Sequence, residues 1–102
     1  MKISTFELKT TTSVLMRTEV LYSVASARAT GDELTEILYP NDGRGERNTV
    51  KVMKELKKQG RIKVYVLAKD INGQSKEAEY LLNKYPELKD YSEKPNSVIV
   101  ML

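Results

Sequence analysis

Glu36-Ile-Leu-Tyr-Pro-Asn-Asp-Gly-Arg-Gly-Glu-Arg-Asn48 is the stretch on which the fold turns. An apolar run over residues 34–39 stops at Pro40, a glycine-containing loop turns the chain, and Asn48 stands where a helix N-cap belongs. Strand, glycine loop and helix start, in that order, form a unit from which α/β folds are built. The order also aims unsatisfied backbone N–H groups and the positive end of a helix dipole at one place, which attracts anions, phosphate above all. The helix carries Arg47, Lys51, Lys54 and Lys58 at offsets of four, seven and eleven, one face at helical spacing. Its other face carries Val52, Met53 and Leu56.

The flanking chain repeats the pattern. Residues 3–9 alternate, with Ser4, Phe6 and Leu8 on one side and Ile3, Thr5, Glu7 and Lys9 on the other, as a strand does. Residues 10–13 are a Thr/Ser turn with a ready N-cap. Residues 14–30 then read as a helix whose inward face is Val14, Leu15, Leu21, Val24 and Ala25, closed by Gly31 as a C′ residue. After the basic helix, about residues 48–59, Gly60 stops the chain again. Residues 62–68 are a β-branched, mostly apolar strand, and Asp70-Ile-Asn-Gly73 is turn chemistry. A shorter helix over 75–85 buries Ala78, Leu81 and Leu82 and ends at Pro86. A polar connection over 89–96 leads to Ser97-Val-Ile-Val-Met-Leu102, an apolar strand best buried between others.

The order is β-α-β-α-β-α-β, an α/β fold with a small mixed sheet covered by helices, in one domain over residues 1–102. The first two strands, joined through a helix, should run parallel with a right-handed crossover. The loop after the second strand then lies at the carboxyl edge of the sheet, where such folds place ligands.

Composition narrows the chemistry. The chain has no Cys and no His, which excludes disulfides, thiolate or imidazole metal ligands, and an imidazole general base. No apolar h-region opens the chain and no run approaches a membrane span, so a cytoplasmic protein without a membrane partner is expected. The formal net charge is +3, unevenly spread. Residues 44–63 hold eight basic side chains against Glu46 and Glu55, so this stretch is +6 and the remainder −3. A localised basic patch on a near-neutral background is the electrostatic footprint of a nucleic-acid binder, although a lysine-rich face is also what a surface helix shows to water.

These residues resemble the Smr (small MutS-related) domain, whose fold is similar to the C-terminal domain of translation initiation factor three. That family has a first strand ending L-D-x-H, then a strand ending in an H-G-x-G loop that opens the second helix, and a closing strand of the type G-V-T-I-V-x-L. A small stand-alone variant carries a longer loop, I-H-G-Y-G-S-S-G-x-G-G-x-I-R, and a short C-P-A-L segment. Leu38-Tyr-Pro-Asn-Asp-Gly-Arg-Gly-Glu-Arg-Asn-Thr-Val-Lys51 matches that loop in length without a gap. Lys57-Lys-Gln-Gly-Arg-Ile-Lys63 resembles the family's K-x-R-G-x-I, Tyr85-Pro-Glu-Leu88 stands at C-P-A-L, and residues 97–102 resemble the closing strand.

The departures fall on the family's working residues. Phe6-Glu-Leu-Lys9 stands at L-D-x-H, with Glu7 for the acid and Lys9 for the His. Tyr39 replaces the second His, Pro40 the Gly after it, and only Gly45 falls on a family loop glycine. Smr domains nick branched DNA or cut RNA and bind structured nucleic acid, so the resemblance implies a nucleic-acid surface, DNA or RNA, at Arg44, Arg47 and Lys51. The basic face adds Lys54 and Lys58, the loop and strand end add Gly45 and Tyr39, and Lys9 is either a phosphate contact or an end-of-strand charge.

Several of these residues carry two readings. Glu7 and Asp42 are the candidate catalytic acids of a divalent-metal-dependent endonuclease, and with Glu36 they would hold Mg²⁺ if they converge. Otherwise Glu7 and Glu36 are strand residues and Asp42 is turn chemistry. Tyr39 stacks on a base or is half-buried packing. The loop lacks the Lys-Ser/Thr pair of a P-loop. The rival reading is a non-enzymatic protein-interaction module that keeps the fold, and an exposed apolar patch would favour it. Monomer and homo-oligomer both stay open.

Overall fold

A computed structural model describes residues 1–10 and 12–102. Four strands, β1 (Ile3–Glu7), β2 (Leu34–Leu38), β3 (Val64–Leu67) and β4 (Ser97–Met101), form one sheet in the order β1-β2-β4-β3. The first two run parallel, with Ile3 opposite Leu34 and Glu7 opposite Leu38, as a strand-helix-strand connection requires. The last strand is antiparallel to both β2 and β3, so it lies inside the sheet. Its five residues are all buried, which is why its sequence has no polar face.

Helices α1 (Ser13–Ala29) and α2 (Gly43–Lys58) cover one face of the sheet. Helix α3 (Lys76–Lys84) and two 3₁₀ segments, Ala68–Asp70 and Pro86–Glu93, cover the other. Alternation along the strands sorts the core accordingly. Ile37, Val98 and Val100 meet Met16, Val20, Met53 and Leu56 on the first face. Leu34, Ile99 and Met101 meet Ala78, Leu81, Tyr85 and Leu88 on the second. Both α1 and α2 stop at a left-handed glycine, Gly31 (φ 78°) and Gly60 (φ 73°). In each case the glycine N–H and the next one reach back to the last turn, Asp32 N–H to Ala27 O at 2.9 Å and Arg61 N–H to Leu56 O at 2.9 Å.

The structure corrects four expectations. Helix α2 begins at Gly43, five residues before Asn48, and its N-cap is Asp42. The inward stripe of α1 is Met16, Val20, Ser23, Val24 and Ala27, whereas Val14, Leu15 and Ala25 are exposed. Strand β3 spans four residues rather than seven, because Ile62 packs into the core ahead of it and Ala68 opens a 3₁₀ turn. The connection expected over 89–96 is largely 3₁₀, with Pro86 at its start and Leu88 buried beneath it. The turn expected over 10–13 includes Thr11, which lies outside the described residues.

Candidate nucleic-acid interface

Helix α2 takes its position from its first turn. Asp42 is extended and its carboxylate accepts the Gly45 N–H at 2.5 Å, satisfying one of the orphan donors there. Gly45 lies so close to the preceding corner that an added Cβ would stand 2.2 Å from the Pro40 carbonyl oxygen. The corner itself is pinned from the sheet: Asn96 donates to the Tyr39 carbonyl at 2.7 Å, and the Tyr39 N–H donates to the Asn96 carbonyl at 2.9 Å. Farther along, buried Thr49 donates to Gly45 O at 2.7 Å and touches Met16 Sδ, seating α2 on α1.

This start changes the anion argument. At the helix N-terminus expected to receive phosphate, the Asp42 carboxylate already takes the Gly45 N–H. Gly45 is buried, and its missing side chain permits the close approach to Pro40. Tyr39 is 3% exposed, so no ring face is open to a base. Its hydroxyl donates to Glu46 Oε1 at 3.4 Å, and burial, then the Glu46 charge, push its pKa up from 10.0 to about 12. The phenol is therefore a hydrogen-bond donor in the core at neutral pH.

The candidate acids do not converge. Glu7 ends β1 on the side of Ile3 and Thr5, which faces α3, while Asp42 caps α2 on the opposite face. Glu36 is buried between them in the chain but is occupied: Thr5 Oγ1 donates to it at 3.3 Å, and Lys94 Nζ lies 3.1 and 3.0 Å from its two oxygens. No group of three acidic side chains among the described residues is placed to hold a metal ion. Lys9 is exposed just beyond β1, where its backbone N–H donates to the Glu19 carboxylate at 3.1 Å.

The basic stripe is brought together. Arg44, Arg47, Lys51, Lys54 and Lys58 are all exposed. Helical rotation puts them within an arc of about 80° and over about 21 Å of axis. The arc lies opposite the buried residues Thr49, Val52, Met53 and Leu56. What keeps it cationic is the disposal of the nearby acids. Glu46 is taken by Lys69 of the 3₁₀ segment after β3, and Glu55 by Arg17 of α1 at 3.3 Å. None of the five stripe cations has an ion-pair partner among the described residues. Arg44 joins the stripe only because α2 starts at Gly43. Proline and two glycines hid that start, although Asp42 is as good an N-cap as Asn48.

Comparison of the chain with protein-family models, with curated proteins and with solved structures found no match in any of the three. Among the described residues, no helix is long and apolar enough to cross a membrane.

Proposed function

We propose that the chain is an Smr-like nucleic-acid-binding domain, working in the cytoplasm, that grips the phosphate backbone through the outer face of α2. The observation that supports this reading is the stripe of five exposed cations with no acidic partner among the described residues. Point charges on flexible stems meet phosphates without reading bases, so binding is sequence-independent and sensitive to salt. A stripe of about 21 Å matches about six base-pair rises of about 3.4 Å along a duplex axis. Cleavage on this reading is weak or absent, because the family's two imidazoles are replaced by an exposed lysine and a buried phenol.

The test is a binding titration against duplex DNA, branched DNA and structured RNA, with and without Mg²⁺, at two salt concentrations. Binding that weakens steeply with salt on all three supports the reading, and no binding at low salt removes it. Turnover abolished by Glu7→Gln or Asp42→Asn, the latter keeping the cap, would instead establish a carboxylate–metal endonuclease.

A second reading, the protein-interaction module, is favoured by α1. Val14, Leu15 and Tyr22 are 76, 58 and 65% exposed and recur at helical spacing on its outer side. Tyr22 also leans on Phe6 of β1, ring centroids 5.9 Å apart. Loss of self-association or of a protein partner on Leu15→Ser, Tyr22→Ser, with nucleic-acid binding intact, would place α1 rather than α2 at the centre of function.

A further inference from the structure

Both edge strands of the sheet pair on one side only, β1 with β2 and β3 with β4. At β3, no other hydrogen bond among the described residues reaches the backbone of Val64–Leu67. An unpaired edge is a template for another strand and is commonly covered or blunted. Here it forms the floor of an open cleft of about 930 Å³ between α2 and the start of α3. An added strand of four or five residues, matching the length of β3, would run about 13 to 17 Å.

The walls differ in charge. On the α2 side stand Lys54, Lys57 and Lys58, with Val50 below them. On the α3 side stand Asp70 and Glu77. One contact crosses between the walls, Lys57 to Glu77 at 3.9 Å, and both partners are more than two-fifths exposed. Such a pair contributes little and yields easily to a ligand. The floor alternates, with Tyr65 and Leu67 toward α2 and Val66 toward α3. A strand laid beside β3 would likewise send successive side chains to opposite walls.

A second copy of the chain is a poor occupant. Joining β3 to β3 about a two-fold axis continues the sheet antiparallel and sets α2 against α2 and α3 against α3. Lysines would then meet lysines, and Asp70 and Glu77 would meet their own equivalents. We propose that the free edge of β3 is a strand-addition site for an extended segment of another protein, with acidic side chains at the alternate positions that face α2. Main-chain pairing supplies the affinity and the lysine wall selects the side chains. The site goes beyond nucleic-acid binding; it shares Lys54 and Lys58 with the stripe, whereas Arg44, Arg47 and Lys51 lie outside the cleft.

A blocked peptide of alternating Glu and Val is the probe, titrated into the full chain with amide hydrogen exchange read at residues 64–67. Three control peptides accompany it: one with Lys in place of Glu, and two N-methylated at alternate residues, one along each edge. Binding is expected, with β3 amides protected. Affinity should fall at least tenfold for the Lys peptide, for one of the two N-methylated edges, and for Lys54→Glu, Lys58→Glu. Arg44→Ala, Arg47→Ala should leave peptide affinity unchanged while weakening nucleic-acid binding, so the two readings fail separately. Equal binding of both N-methylated peptides would mean charge attraction without strand pairing and would overturn the proposal. So would no binding at millimolar peptide, or β3 amides already protected in a dimer of the free protein.

Discussion

At the scale of single residues, the entry into α2 is where substitution has the most to break. Gly45→Ala pushes a methyl group against the Pro40 carbonyl, backbone that also accepts the Asp42 N–H at 2.8 Å and follows Tyr39, which Asn96 pins. The expected loss is about 2–3 kcal/mol, the upper range of overpacking penalties. Asp42→Ala removes one capping bond and should cost about 1 kcal/mol. Thermal melts of the two variants check the order: the glycine variant should melt lower, and the reverse would mean that the corner yields. The buried tyrosines give a second prediction. Tyr39 and Tyr85 are both pushed up from 10.0 to about 12, chiefly by burial, so the folded state holds their protons more tightly than the unfolded state. The stability this contributes is present below pH 10.0 and is lost as pH rises toward about 12. In a phenolate absorbance titration, Tyr39 and Tyr85 should ionise among the last of the six tyrosines, and Tyr39→Phe should remove one step from the alkaline limb. Simultaneous ionisation of all six near pH 10.0 while the protein is still folded would contradict the packing of both rings.

At the scale of elements, β4 carries the sheet. Deleting residues 99–102 removes Ile99, Val100 and Met101, all buried, and with them most of the pairing that holds β3. Three such side chains are worth about 5–9 kcal/mol of burial, comparable with the whole stability of a small domain. The truncated chain should lose cooperative unfolding by circular dichroism, and a cooperative melt near the parent temperature would show the strand to be dispensable. The position of β4 was legible because an unbroken apolar run with no polar face can only sit between other strands. The amphipathicity of α2 was legible too, since charged and apolar residues separate cleanly around it. The inward face of α1 was not: apolar and small side chains surround that helix, so Val14 and Leu15 carry the same signal as Met16 and Val20, and only the sheet beneath decides. The burial of Tyr39 was equally hidden, because a tyrosine at a strand end is compatible with either environment until the Pro40 corner folds it inward.

At the scale of the whole molecule, charge is sorted by face. The outer surface of α2 carries five clustered cations, while Lys76 and Lys89 lie on α3 and the 3₁₀ segment that cover the other side of the sheet. That separation permits a test that net charge alone cannot pass. If the stripe meets phosphates, Arg47→Ala, Lys51→Ala should weaken binding to all duplex sequences about equally, and the slope of log affinity against log salt should shrink by about 1.8, at about 0.9 per lost contact. The helix should survive, because Ala is the better helix former and both positions point away from the core. Lys76→Ala, Lys89→Ala removes the same charge from the opposite face and should leave the slope nearly unchanged. Equal losses in the two double variants would mean that the protein attracts nucleic acid only through its net charge of +3, with no interface on α2. A slope that shrinks in the α2 variant alone would make that helix the contact surface, because only there are cations near enough to displace counterions.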